Sequence, residues 1–286
     1  MYTILLTGAT SGIGYETAKA LAKKHYTLIL INRNATKAQA LSTELKQLGA
    51  TAVHSYLADL SLMQEVERVA KEVKSNHTSL DVLLNNAGFI AGERTETAEG
   101  LESTFATNHL APFLLTGHLL PLVQNSRLKR IVNVASRAHK WAKPDMEDLQ
   151  MTKDYKPLTS YCNSKLYNIL HVRKLAMQLK GTEIVCYALH PGAVSTGFGK
   201  SSSTFLRLMV GVFRPLMLSP AKGAITPIRL SMPDAVGAPS GTYFEKDKPF
   251  TPFTYGSDDR LASELWDKST GILQQLGVDI NGLYKF

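Results

Sequence analysis

Tyr161 and Lys165 stand four positions apart in the stretch YCNSK, a spacing that puts a phenol and an ammonium on one face of a helix. Such a pair can move a proton to or from a bound substrate. The same spacing recurs at Tyr15 and Lys19, in YETAK, and two such residues can equally sit idle on a helix. Spacing does not choose between the copies; the elements that carry them do.

Apolar runs alternate with helical patterns through more than half of the 286 residues. Strands are predicted at 2–8, 27–33, 51–60, 80–88, 129–136 and 183–192, with a short seventh at 241–244. Helices are predicted at 14–25, 36–49, 62–75, about 97–125 and 160–180. Continuous apolar strands separated by helices predict a parallel sheet covered on both faces. Right-handed crossovers make that sheet doubly wound. The expectation is one α/β domain over 1–286, a mostly parallel Rossmann-type sheet with helices on both faces and an irregular C-terminal third.

The segment LLTGATSGIGYETA (5–18) places three glycines between the first strand and the first helix. Gly8 permits the tight turn, Gly12 lets a pyrophosphate approach the backbone, and Gly14 allows the helix to pack closely on the strand. Free amides and the helix dipole then hold the anion. The spacing is Gly-x3-Gly-x-Gly, without the Gly-Lys-Ser/Thr ending of a P-loop. Tyr15 and Lys19 therefore lie on the first helix, just past a phosphate turn, where a structural role is the better reading. At the end of the second strand, INRN puts Asn32 where an acid would bond a ribose 2′-hydroxyl, and Arg33 follows. A guanidinium there suits a 2′-phosphate, so NADP(H) is expected over NAD(H). The alternative is a solvated surface arginine.

Composition narrows the field further. The chain is 44% apolar and 20% charged, ordinary for a globular protein. Two cysteines, Cys162 and Cys186, fit a reducing compartment better than a disulfide scaffold. The net charge of +8 comes without zinc-finger spacing, an RNP-type aromatic box or a long basic run, so no nucleic-acid partner is expected. The histidines are scattered and form no HExxH or Cys/His cluster, so no metal is expected. The opening residues carry no basic region followed by an apolar stretch, and no run is apolar enough to span a membrane. A cytoplasmic location is expected.

Taken in order, TGATSGIG (7–14), NNAG (85–88), Asn108, Ser136, YCNSK (161–165) and HPGAVST (190–196) resemble the short-chain dehydrogenase/reductase family over nearly the whole chain. INRN, TNHLAPFLLT (107–116), RIVNVASRAH (130–139) and HPGAVST are most similar to its retinol dehydrogenase-like branch. The branch commonly carries a membrane-anchoring extension before the first strand, and none is expected for this chain. The resemblance implies that Tyr161 is the general acid/base and that Lys165 binds the nicotinamide ribose and lowers the tyrosine pKa. It implies that Ser136 holds the substrate oxygen and that Asn108 supports a water leading to Lys165. Gly8, Ser11, Gly12, Ile13 and Gly14 would hold the pyrophosphate, Asp59 would contact the adenine with Leu60 beside it, and Asn86, Ala87 and Gly88 would line the cofactor. Val194 and Thr196 would hold the carboxamide. A nearby ammonium and a cationic ring both favour a phenolate, so the Tyr161 pKa is expected to fall from about 10 toward neutrality. Ala135 stands where a second serine is common, with little effect expected.

The substrate loops are expected at about 137–158 and 195–240. They and their neighbours offer Phe89, Ile90, Trp141, Phe198, Phe205, Leu206, Met209 and Phe213, a set that fits an apolar aldehyde, ketone or alcohol. Residues 198–218 are read as a lid, with membrane-surface contact through Arg207 and Arg214 or burial in the core as alternatives. The expected function is NADP(H)-dependent hydride transfer between nicotinamide and an apolar carbonyl or alcohol. The alternatives are C=C reduction and a non-catalytic NADP(H)-binding regulator. Assembly into a homo-oligomer is left open.

Overall fold

In the computed structural model, described for residues 2–192 and 218–284, a parallel sheet forms the centre of the chain. Its strands are β1 (Thr3–Thr7), β2 (Thr27–Asn32), β3 (Ala52–Leu57), β4 (Val82–Asn85), β5 (Arg130–Val134), β6 (Val185–His190), β7 (Tyr243–Glu245) and β8 (Lys248–Phe250). Their order is β3-β2-β1-β4-β5-β6-β7-β8, parallel except for the last antiparallel pair. The order reverses between β1 and β4, and that switch point opens a crevice at the carboxyl edge. The doubly wound α/β expectation is met.

The central strands are apolar on both faces because both faces are covered. Ile4, Leu6, Leu28, Leu30, Val82 and Leu84 pack with Ala18, Leu21 and Leu41 of α1 (Gly12–Ala22) and α2 (Ala35–Gln47). Leu5, Ile29, Leu83 and Ile131 pack on the other face with α3 (Met63–Asn76), α5 (Ala111–Gln124) and α6 (Pro157–Gln178).

The helix expected over 97–125 is a turn followed by three helical pieces. Residues 97–101 form a turn, α4 is Ser103–Phe105, a π-helical turn covers Ala106–Leu110, and α5 follows. The buried carboxylate of Glu102 starts this run by accepting the backbone N–H groups of Thr104 and Phe105 at 2.9 and 2.7 Å. α6 begins three residues before the expected start, with Pro157 in its first turn, where a missing N–H costs nothing.

The C-terminal third is more regular than expected. α7 (Pro220–Gly223) and α8 (Ile225–Leu230) pack against α1, so this part of the expected 195–240 substrate region belongs to the scaffold. Arg130, buried at the start of β5, donates to the carbonyls of Leu230 and Met232 at 2.8 and 2.7 Å and fixes the end of α8. α9 (Asp259–Gln275), capped by the Asp258 side chain on the Leu261 N–H, lies along α6. Its signals are in the sequence: an Asp cap, apolar residues at helical spacing and Gly277 just beyond the end. Strand β8 is a further element that the sequence reading lacks.

A buried polar chain ties this end to the sheet. Asn85 donates to Asn133 at 2.9 Å, Asn133 reaches Nδ1 of His171 at 3.1 Å, and His171 Nε2 reaches the Tyr284 hydroxyl at 3.2 Å. Burial pushes His171 down to about 3, which keeps its ring neutral and one nitrogen free to accept. Among the described residues, no helix is long and apolar enough to cross a membrane.

Candidate active site

Ser136 follows β5, Lys165 and Tyr161 lie on α6, and Asn108 lies in the π-helical turn before α5. All four meet at the carboxyl edge of β4 and β5. The Lys165 ammonium donates to the Val134 carbonyl at the end of β5, at 3.2 Å, and sits 5.6 Å from the Tyr161 ring centre. The Ser136 hydroxyl lies beside the Tyr161 phenol and acts to lower its pKa. The Ser136 hydroxyl oxygen also accepts the Ala138 N–H at 3.1 Å, capping a 3-10 turn over Arg137–Trp141.

Asn108 is wholly buried and holds the β4 exit loop in both directions. Its amide donates to the Phe89 carbonyl at 2.8 Å, and its oxygen accepts the Phe89 N–H at 3.0 Å. The same amide donates to Ser164 Oγ at 3.0 Å, and that hydroxyl donates to the Tyr161 carbonyl at 2.8 Å. The π-helical turn places Asn108 where it can do both. Gly88 lies where these groups converge: a Cβ there would stand 3.1 Å from Lys165 Nζ and 3.2 Å from Asn108 Oδ1.

The expected fall of the Tyr161 pKa rests on a cationic ring beside the phenol, and burial by the protein itself acts the other way. Burial pushes the phenol up to about 12, with the Ser136 hydroxyl acting against it. Burial also pushes Lys165 down to about 8. Removing water from both groups favours their neutral forms.

The glycine turn is built for close approach. Gly8 and Gly12 have φ of +70° and +59°, and a Cβ on Gly14 would stand 2.3 Å from the Gly8 carbonyl and 2.5 Å from Asn86 Nδ2. Asn86 donates to the Thr7 and Gly8 carbonyls at 2.9 and 3.2 Å, while Thr7 Oγ1 accepts the N–H groups of Asn86 and Ala87 at 3.0 and 2.9 Å. Ser11 precedes α1 without a side-chain cap bond, so the first amides, at Gly12, Ile13 and Gly14, are not consumed by a side chain. This cradle fits a pyrophosphate.

At the end of β2, Asn32 is buried, and neither polar atom of its amide has a partner among the described residues. Arg33 is mostly exposed, 3.6 Å from Asp59. Asp59 also accepts the backbone N–H and the hydroxyl of Ser61 at 2.9 and 2.8 Å, with Leu60 between them in sequence. The β2 terminus itself carries an amide and an exposed guanidinium, and the carboxylate in this corner is Asp59, from beyond the end of β3.

The other Tyr-Lys pair is structural. The Tyr15 hydroxyl donates to both oxygens of Glu44 on α2, at 2.7 and 2.9 Å, and the Lys19 ammonium lies 4.7 Å above the Tyr15 ring.

Of the residues expected to line a substrate, Ile90 is buried, Phe89 is half-buried, and Trp141 is exposed beneath the Lys140 ammonium at 3.9 Å. Val194, Thr196, Phe198, Phe205, Leu206, Met209 and Phe213 lie outside the described residues, as does most of the 198–218 lid.

Several residues near the site escaped the sequence reading. Glu102 accepts the hydroxyls of Tyr155 and Ser160 at 3.2 and 3.3 Å, joining the 137–158 loop to the start of α6. Asn163 exchanges two hydrogen bonds with the backbone of Lys143 and pins the same loop to α6. His139 bonds the carbonyl of Ser136.

The family model for short chain dehydrogenase matches residues 2–206. This chain is a short-chain dehydrogenase/reductase. It belongs to the retinol dehydrogenase-like branch of that family. It is 34% identical to human (Homo sapiens) retinol dehydrogenase 11 over 271 residues, covering 94% of this chain and 85% of that one. It is 35% identical to Bos taurus dehydrogenase/reductase SDR family member 13 over 278 residues, covering 93% and 72%. Among solved structures, an uncharacterised protein from Mycobacterium Paratuberculosis superposes with a TM-score of 0.76 at 29% identity, covering 96% and 94%. A short chain dehydrogenase from Shigella flexneri complexed with NADP shares the fold, with a TM-score of 0.67 at 22% identity and coverage of 86% and 97%.

Proposed function

We propose that this short-chain dehydrogenase/reductase is an NADP(H)-dependent carbonyl reductase or alcohol dehydrogenase acting on an apolar substrate. The observation that carries the reading is the convergence of Ser136, Tyr161, Lys165 and Asn108 at the carboxyl edge, next to a glycine cradle shaped for a pyrophosphate. The cradle and the open β2 corner fit a dinucleotide, which would supply the hydride when bound. Arg33 and the absence of an acid at Asn32 support NADP(H) over NAD(H).

Within this reading Tyr161 gives its proton to a carbonyl oxygen held by Ser136. A phenol raised to about 12 is protonated at neutral pH, which is the form a general acid needs for reduction. Lys165, held under the β5 edge by Val134, binds the nicotinamide ribose, and its charge lowers the cost of leaving a phenolate. Asn108 keeps the Phe89 loop and the first turns of α6 in register with each other. Asn86, Ala87 and Gly88 line the cofactor, and Val194 and Thr196 hold its carboxamide. Ile90 and Phe89 form part of an apolar wall.

Reduction of a C=C bond is the second reading, carried by the family resemblance. Cinnamaldehyde offers both bonds. With NADPH and purified protein, cinnamyl alcohol as product supports carbonyl reduction, whereas hydrocinnamaldehyde means that C=C reduction is the activity.

A further inference from the structure

We propose that His139 is a positioning residue for Ser136, anchored by the backbone of Phe253 in the C-terminal part of the chain. The proposal rests on Ser136 holding the substrate oxygen, as above.

His139 has no exposed surface. Its Nε2 accepts the Phe253 N–H at 3.0 Å, an amide that can only donate. The ring proton therefore sits on Nδ1, which donates to the Ser136 carbonyl at 2.7 Å. The His139 backbone N–H reaches the same carbonyl at 3.2 Å. Two bonds thus fix the peptide plane just after Ser136. The Ser136 hydroxyl oxygen accepts the Ala138 N–H, so the serine side chain is tied to the same turn that these two bonds hold in place. A hydroxyl that must meet both a substrate oxygen and the Tyr161 phenol gains from such a constraint.

The anchor continues past His139. Its ring meets Tyr243 of β7 and Phe253 edge-on or tilted, with centroids 5.2 and 5.8 Å apart. Arg137, next to Ser136, reaches Glu245 at the end of β7 at 3.4 Å and lies 5.7 Å from the Phe253 ring. The two side chains flanking Ala138 are therefore both held by residues 243–253. These lie beyond the 2–206 span that matches the family model. The C-terminal hairpin and loop of this chain would therefore help to set the geometry of the serine.

The test uses the full chain, NADPH and nonanal as the probe substrate, with kcat measured for His139→Ala in the native and Ser136→Ala backgrounds. The proposal predicts that His139→Ala lowers kcat about tenfold when Ser136 is present. It predicts little further loss when Ser136 is already alanine, because coupled residues are not additive. NADPH affinity, read by fluorescence titration, should stay within about twofold of the native value. His139→Asn keeps a donor near the Nδ1 position and should restore most of kcat; His139→Gln, which keeps only the distal acceptor, should not. That comparison also decides the matter if the alanine variant does not fold. An equal loss in both backgrounds, or equal rescue by Gln and Asn, would overturn the proposal by showing a general packing role. If Ser136→Ala alone leaves kcat unchanged, the assignment of Ser136 fails and this proposal fails with it.

Discussion

The Lys165 ammonium lies 5.6 Å from the centre of the Tyr161 ring and is turned to the Val134 carbonyl 3.2 Å away. The two groups that give the site its chemistry are thus neighbours on α6, each shifted by burial toward its neutral form. A buried ammonium is costly to the fold, and that cost is a measurable property.

Lys165→Met should stabilise the protein while abolishing turnover. The folded pKa of about 8 lies below the unfolded value of 10.5, so the unfolded chain binds more protons between those limits. Native stability therefore rises as pH climbs from 8 to 10.5, and the penalty is present in full below 8. Removing it is worth on the order of 3 kcal/mol at pH 7, or a Tm rise of roughly 5 °C. Val134 keeps a donor in Asn168 at 3.3 Å. Thermal unfolding of both proteins across pH 7–10.5 checks this: the variant should melt higher at pH 7, and the gap should close as pH rises.

Gly14→Ala tests the cradle. Its Cβ would stand 2.3 Å from the Gly8 carbonyl and 2.5 Å from Asn86, so the turn, β4 and α1 cannot all stay in place. Dinucleotide affinity should fall at least about 100-fold, with a loss of about 2 kcal/mol in stability. Equilibrium titration with NADPH and denaturant unfolding measure the two separately.

Arg33→Asp tests cofactor choice. The exposed guanidinium would be replaced by a carboxylate, which repels a 2′-phosphate and can accept from a 2′-hydroxyl. The ratio of kcat/KM for NADPH over NADH should fall by about 100-fold or more. An unchanged ratio would mean that Arg33 is a solvated side chain.

Glu102→Gln tests the link between substrate loop and α6. Four donors, from Thr104, Phe105, Tyr155 and Ser160, converge on this buried carboxylate. An amide turns donors toward some of them and should cost about 1–3 kcal/mol. Because Ser160 precedes Tyr161, kcat should fall more than the affinity for NADPH.

Local chemistry explains what was legible in the sequence. The glycine turn, the apolar strands and the Asn32-Arg33 corner each state their conformation within a few residues, and the doubly wound, mostly parallel sheet followed from handed crossovers. Helix α9 has its own local signals, an N-cap at Asp258 and Gly277 just beyond its end. The π-helical turn at Asn108 has no comparable signal, because it arises from how α4 and α5 meet the Phe89 loop. Glu102 and His139 were invisible for a related reason. Each has near partners, but Tyr155, Ser160 and Phe253, which join them to other segments, are tens to more than a hundred residues away and meet them only once the sheet has formed. The burial that raises the Tyr161 pKa is likewise a product of tertiary packing, which the residue types alone do not give.

The most direct test of the whole account is NADPH oxidation by the purified protein, with nonanal and other apolar aldehydes and ketones, compared with Tyr161→Phe. The account predicts NADPH-dependent turnover that falls about 10³-fold in the variant while NADPH still binds. Turnover unchanged in Tyr161→Phe would contradict it, because the phenol would then not be the proton donor.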